Sequence, residues 1–276
     1  MVGATPLVLA GLGGVFAERS GVINIGLEGF MLFGAFFSAL VAAKTGRPVL
    51  ALLVSTALLA VVGLVFALFT VTLKANQVVS GVALNMLASG LTLFLSQVFF
   101  DRRRSFSLPD EAKLDFRFFV VLALILVPLC TVLLDKTRFG LRLRAVGENP
   151  KAADTAGVSV PTYRYLGLVI SGILAGLAGS FLPFYCGSFA KNMTAGRGFI
   201  ALAALIFGRW RPAGVLSAAL VFGLADALQT TLLSNLIPSQ FAMMVPYVVT
   251  VVILAGFIGR AVPPASLGIP YEKESR

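Results

Sequence analysis

Histidine is absent from the 276 residues, which removes imidazole acid–base catalysis and imidazole metal ligation together. Cysteine is scarce. Cys130 and Cys186 stand far apart, within or beside apolar runs, and support neither a disulfide framework nor a zinc site. Charge is also sparse: Lys, Arg, Asp and Glu make up 12% of the chain, about half the roughly 25% of a soluble domain. No phosphate-cradling Walker loop and no dinucleotide fingerprint occurs, so ATP-driven work would need a second chain to hydrolyse the nucleotide. No cleavable leader is evident, because the first apolar run lacks a basic start and leads directly into further apolar sequence. The formal charge is +10, yet no basic run is interleaved with exposed aromatics. Positive loops between membrane segments account for the charge, and no nucleic-acid partner, cofactor or metal is expected.

What the chain does contain is apolar sequence. It is 58% hydrophobic, with a mean hydropathy of +0.95. Apolar runs of roughly 20 residues recur from end to end, each long enough to cross a bilayer. A barrel would show short alternating segments instead. The expected fold is therefore all-α, a polytopic transmembrane helical bundle set in the lipid bilayer. Nine segments are expected, near 4–17, 25–43, 49–73, 77–100, 117–135, 163–186, 197–209, 213–234 and 240–259. The first and seventh are short for a full crossing and fit half-helices buried in protein. Placing the 136–162 loop inside puts more Lys and Arg inside than outside, which sets the N-terminus out and the C-terminus in. The stretch from Asp101 to Arg117 dissents, with five positive charges outside.

The 136–162 loop carries a short helix with both ends marked. Asn149 fits the N-cap, Pro150 the first helical position and Gly157 a left-handed stop. A helix so short needs a surface to pack on. It reads either as a docking helix for a partner protein or as a solvated turn.

Polar interruptions mark candidate lining for a path through the membrane. Glu18 to Gly29 contains three glycines and Asn24, which would break a helix at membrane depth, and Glu28 begins a long apolar run. Gln77, Gly81 and Asn85 recur every four residues, so they share one helical face, which Ser89 extends and Ser80 flanks. Such a stripe either lines a path or bonds another helix. Asp226 lies inside the eighth run, where an acid is a functional candidate by default. Gly167, Ser171, Ala175 and Gly179 form a small-residue ridge suited to close helix packing.

Four stretches taken together are similar to one family: ERSGVINIGLEG (18–29), NQVVSGVALNMLASG (76–90), FGLRLRAVGENPKAADTAG (139–157) and AGRGFIALAALIFGRWRPAG (195–214). They resemble the permease subunits of bacterial ABC importers of the branched-chain amino acid and ribose type. Within it they most resemble the nucleoside and simple-sugar branch served by a basic membrane lipoprotein. The resemblance covers nearly the whole chain and implies one permease domain over 1–276 in the bacterial inner membrane, not an enzyme. It implies cytoplasmic ABC ATPase subunits, a second permease (identical or related) and an extracytoplasmic substrate-binding lipoprotein as partners. It makes 149–157 the coupling helix, with Arg142, Arg144, Ala145, Val146, Gly147, Glu148, Asn149, Pro150, Ala152 and Ala153 at the ATPase contact. Asn24 and Asn85 would flank the central path. The implied solute is a nucleoside of the guanosine type, with a simple sugar such as ribose as the alternative. A proton-coupled transporter using Glu28 and Asp226 is the rival from another class, disfavoured because few intramembrane charges are present.

Overall fold

Helix α1 (Ala4–Arg19) is apolar on every side and contains Gly11, Gly13 and Gly14. A helix with no polar face has its place in the middle of a bundle, and every residue from Ala4 to Glu18 is buried. The computed structural model describes residues 1–100, 105–231, 248 and 262–272. The expected ninth segment, 240–259, lies outside the described residues but for Val248.

After α1 the chain breaks, then resumes as α2 (Leu27–Thr45), which ends on the left-handed Gly46. Helix α3 (Pro48–Ala67) starts with proline in its first turn and continues through a π-helical turn, Leu68–Thr72. Helix α4 (Gln77–Phe99) is capped by Asn76, whose side chain accepts from the Val78 and Val79 amides. A short strand β1 (Ser105–Ser107) precedes α5 (Phe116–Lys136). Next come α6 (Arg138–Glu148), α7 (Pro150–Thr155) and the long α8 (Val160–Cys186). Strand β2 (Ser188–Ala190) pairs antiparallel with β1, Phe106 opposite Phe189. Helices α9 (Arg197–Phe207) and α10 (Pro212–Thr231) follow. Among the described residues, five helical stretches are long and apolar enough to cross a membrane, those of α2, α3, α4, α5 and α8.

The small-residue ridge of α8 packs as expected. A Cβ at Gly34 of α2 would overlap the Gly176 carbonyl, and one at Gly179 would overlap that of Met31. Gly167 lies against the Phe16 carbonyl of α1, and Gly172 against that of Leu59 of α3. Backbones meet where side chains are missing. By contrast α3, α4 and α5 leave rows of Leu, Val and Phe exposed, among them Leu53, Val61, Met86, Phe94, Ile125 and Leu129, the surface a bilayer would cover.

One end of the molecule carries the α6–α7 pair. The other carries the β1–β2 ribbon, roofed by Phe36, Phe100, Phe106 and Phe189, with the Phe100 and Phe106 rings stacked at 3.7 Å. Helix α6 is an addition to the sequence reading, which placed only the shorter helix in this loop. Phe139, Leu143 and Val146 follow helical spacing, but Arg138, Arg142 and Arg144 between them mask it. A tight turn at 208–211 joins α9 to α10, with both Arg209 and Trp210 at positive φ, 53° and 54°. Such a backbone persists only where its surroundings over-determine it. Here the Trp210 indole donates to Glu18 at 2.5 Å, and the Trp210 carbonyl accepts from Arg19 Nε at 3.0 Å.

Candidate functional site

The break between α1 and α2 is held open by α4. The Ile23 amide donates to Gln77 Oε1 at 2.7 Å, and the Gly29 amide to Asn85 Oδ1 at 2.7 Å. Asn85 Nδ2 returns a bond to the Ile25 carbonyl at 3.0 Å. Between these two braces sits Gly81, where a Cβ would stand 2.9 Å from the Gly26 nitrogen. The spacing of four thus serves to cradle an unwound backbone, whose polar groups would otherwise lack partners in hydrocarbon. Gln77 and Gly81 are buried in doing so, Asn85 is half-buried, and Ser80 lies half-buried on the flank. Asn24, wholly buried, donates to Ser171 Oγ at 2.9 Å. Its Oδ1, like Gln77 Nε2, has no hydrogen-bond partner among the described residues.

Glu28 has a different task. Its Oε1 accepts from the Gly196 amide at 2.9 Å and its Oε2 from the Gly198 amide at 2.6 Å. These are the N-cap amide and a first-turn amide of α9, so the carboxylate fills the positive end of that helix. With 11 residues, α9 is about 16 Å long at 1.5 Å per residue, too short to cross a bilayer. It is the half-helix expected for the seventh segment. Gly198 permits the approach, since a Cβ there would overlap the Glu28 backbone.

A belt of polar groups continues from Glu28. Ser89 Oγ, on the Asn85 face of α4, bonds Asn192 Oδ1 at 2.9 Å. Arg197, in the first turn of α9, lies 3.9 Å from Asp226 Oδ2, with the two side chains 30% and 35% exposed. Asp226 also stands beside Gly3 at the start of α1. It is roughly 21 Å along α10 by helical rise. Charged groups at that depth are not left to face lipid; they face a partner or a water-filled path.

At the other functional element, α7 begins as expected. Asn149 Oδ1 accepts from the Ala152 amide at 3.0 Å, Pro150 opens the helix, and Gly157 has φ +79°. Asn149→Ala should cost α7 about 1 kcal/mol, seen as faster amide exchange at Ala152 and Ala153. Of the expected contact residues, Arg142, Ala145, Glu148, Asn149 and Ala152 are exposed, and Arg144 and Pro150 are partly so. Val146, Gly147 and Ala153 face inward. Val146 and Ala153 form a small apolar cluster with Val160, and Gly147 abuts the Arg19 carbonyl. Arg144 pairs with Asp135 at 3.5 Å and Glu148 with Arg19 at 3.8 Å. The α6–α7 pair is therefore a packed knuckle seated on the end of α1. Sequence reasoning missed the Glu18–Trp210 bond and Asn192, because each is defined by a distant partner.

A broken helix, a capped half-helix and an exposed knuckle define a membrane permease, and the chain belongs to the family described as branched-chain amino acid transport system / permease component, which matches residues 1–254. It is a multi-pass membrane protein and a component of a transport system, not an enzyme. Among curated relatives, it is 42% identical to the guanosine ABC transporter permease protein NupQ of Bacillus subtilis, covering 100% of this chain and 96% of that one. It is 39% identical to the nucleoside ABC transporter permease protein NupC of Lactococcus lactis, over 99% and 95%. It is 36% identical to the putative glucose ABC transporter permease protein TsgC13 of Haloferax volcanii, over 96% and 93%. No solved structure matches.

Proposed function

We propose that this chain forms the translocation path of an ATP-driven importer for a neutral, hydroxyl-rich solute, a nucleoside of the guanosine type. The observation that carries the reading is the polar belt of Asn85, Ser89, Asn192, Glu28, Arg197 and Asp226. Asn192 is exposed and the other five are half-buried, so the belt calls for a second permease copy or relative to complete a water-filled route between them. The names of the two relatives above 38% identity favour the nucleoside. The relative named for glucose favours the second reading, a simple sugar such as ribose.

The N-terminus lies outside and the α6–α7 end faces the cytoplasm, where the exposed side of the knuckle seats on an ATPase subunit. A loaded binding lipoprotein docks at the β1–β2 end. ATP binding draws the ATPases together, the knuckle moves with them, and the junction at Gly21–Gly29 shifts against its α4 braces. Weak, uncharged hydrogen-bonding groups suit such a route, because a tight site would hold the solute. Glu28 and Asp226 are occupied by a helix end and by Arg197, which counts against the proton-relay reading.

The test is uptake of labelled guanosine and labelled ribose by cells carrying the neighbouring subunits, with and without a functional ATPase. ATPase-dependent guanosine uptake that ribose does not compete supports the proposal. Ribose uptake alone keeps the class and changes the solute. Uptake indifferent to the ATPase overturns it. Arg142→Glu, on the exposed face of α6, should cut uptake about tenfold, within the usual range of coupling energies, while membrane insertion is unaffected. Unchanged uptake and unchanged ATPase co-purification in both Arg142→Glu and Glu148→Lys would refute the coupling assignment.

A further inference from the structure

Residues 262–272 cross the α6–α7 end as a strap that turns at 265–268, tied to four separate parts of the fold. At the end of α6, Ser266 donates twice to the Gly147 carbonyl, from its amide at 2.9 Å and its hydroxyl at 2.6 Å. The Ala265 amide donates to Glu148 Oε2 at 3.2 Å. At the broken junction, the Gly268 amide donates to the Gly21 carbonyl at 3.1 Å. At the base of α8, Arg164 Nη1 donates to the Ile269 carbonyl at 2.9 Å. In the turn before α4, Lys74 pairs with Glu272 at 2.8 Å, and that hydrogen bond, with the ammonium charge behind it, holds the Glu272 carboxyl below its ordinary value.

Two features make this more than a tail lying on a surface. Arg164 is 1% exposed, and among the described residues its Nε and Nη2 have no hydrogen-bond partner. The bond to Ile269 is therefore a charge-assisted tie on a buried cation, which is costly to leave unpaired. The knuckle and the junction also touch directly, Gly147 against the Arg19 carbonyl and close to the Gly21 nitrogen. Such a contact transmits a push but not a pull. The Arg19–Glu148 pair at 3.8 Å is too long for a strong direct hydrogen bond. The strap, bonded to Gly147 on one side and Gly21 on the other, resists their separation.

We infer that residues 262–272 are the tension link through which outward movement of the α6–α7 knuckle draws the Gly21–Gly29 junction with it, with Ser266 as its positioning residue. The inference rests on the coupling role of α6–α7 stated above.

The experiment uses the complete transporter in proteoliposomes, with Cys130 and Cys186 replaced by alanine and an I25C reporter in the junction. The labelling rate of that thiol is measured with and without a non-hydrolysable ATP analogue, alongside guanosine moved per ATP hydrolysed. With the strap intact, the analogue should change the labelling rate. In S266P, which removes both donors to Gly147, the nucleotide dependence should vanish and guanosine moved per ATP should fall about tenfold, with the ATPase subunits still co-purifying. Where S266P does not accumulate, S266A removes the hydroxyl bond alone and should give a smaller loss of the same sign. Full nucleotide dependence in S266P, or in S266A when S266P is missing, overturns the tension link. R142E separates the two levels. If R142E abolishes the response and the strap variants keep it, the strap inference fails alone. If R142E also keeps both the response and ATPase co-purification, the coupling role itself fails.

Discussion

Gly34→Val should leave almost no folded protein in the membrane. A Cβ at Gly34 would overlap the carbonyl, Cα and carbonyl carbon of Gly176, so the obstacle is backbone and no rotamer change relieves it. Helices α2 and α8 would have to separate along their length, opening voids around the buried Phe30, Met31 and Leu59. Overpacking commonly costs about 1–3 kcal/mol, and a backbone collision at so close a helix crossing belongs at or above the top of that range. Stability totals are only about 5–15 kcal/mol, so the loss is a large share of the whole. Gly90→Ala is the matched control. Nothing lies within 4 Å of a Cβ at Gly90, and the change gains about 1 kcal/mol of helix propensity. Fluorescence-detected size exclusion of the two variants checks the contrast. A monodisperse Gly34→Val peak at normal yield would show that the crossing tolerates separation.

Glu28→Lys is expected to be nearly as damaging, for an electrostatic reason. The native carboxylate accepts from the N-cap amide and a first-turn amide of α9, and hydrogen bonds to a charged group are worth about 1.5–3 kcal/mol each. Lysine would remove both acceptors and place a cation against a helix N-terminus beside Arg197. Glu28→Gln retains one acceptor oxygen and no charge, and should fall between the two. The buried thiol of Cys130 provides a readout: in a C186S background, a thiol-reactive dye follows unfolding with temperature. The expected order of midpoints is wild type, Glu28→Gln, then Glu28→Lys, and guanosine uptake should follow the same order. Equal midpoints for wild type and Glu28→Lys would mean that the α9 end is satisfied without this carboxylate.

How much of this could be read from the sequence depends on the distance between partners. The ends of α7 were legible because Asn149, Pro150 and Gly157 act on amides within a few residues of themselves. The small-residue ridge of α8 was legible as packing, since small residues every four positions serve little else in a membrane helix. The Gln77, Gly81 and Asn85 stripe was legible as one polar face, but not its occupant. The amide that Gln77 accepts lies 54 residues away, and no local pattern states which backbone will unwind against it. Glu28 was visible as an anomaly, yet its role depends on amides 168 and 170 residues further on. The strap carries no local signature, because main-chain bonds to Gly147 and Gly21 depend little on side-chain identity.

The filled end of α9 also bears on selectivity. A helix beginning at membrane depth is an anion trap, and in many proteins that trap holds a phosphate. Here the chain's own carboxylate occupies both oxygen positions. If a phosphorylated solute followed the proposed route, it would find both amides taken and would meet the Glu28 carboxylate instead. The same solute without its phosphate carries no charge for that carboxylate to repel. On the proposed route, a carboxylate so placed is expected to favour a nucleoside over the corresponding nucleotide.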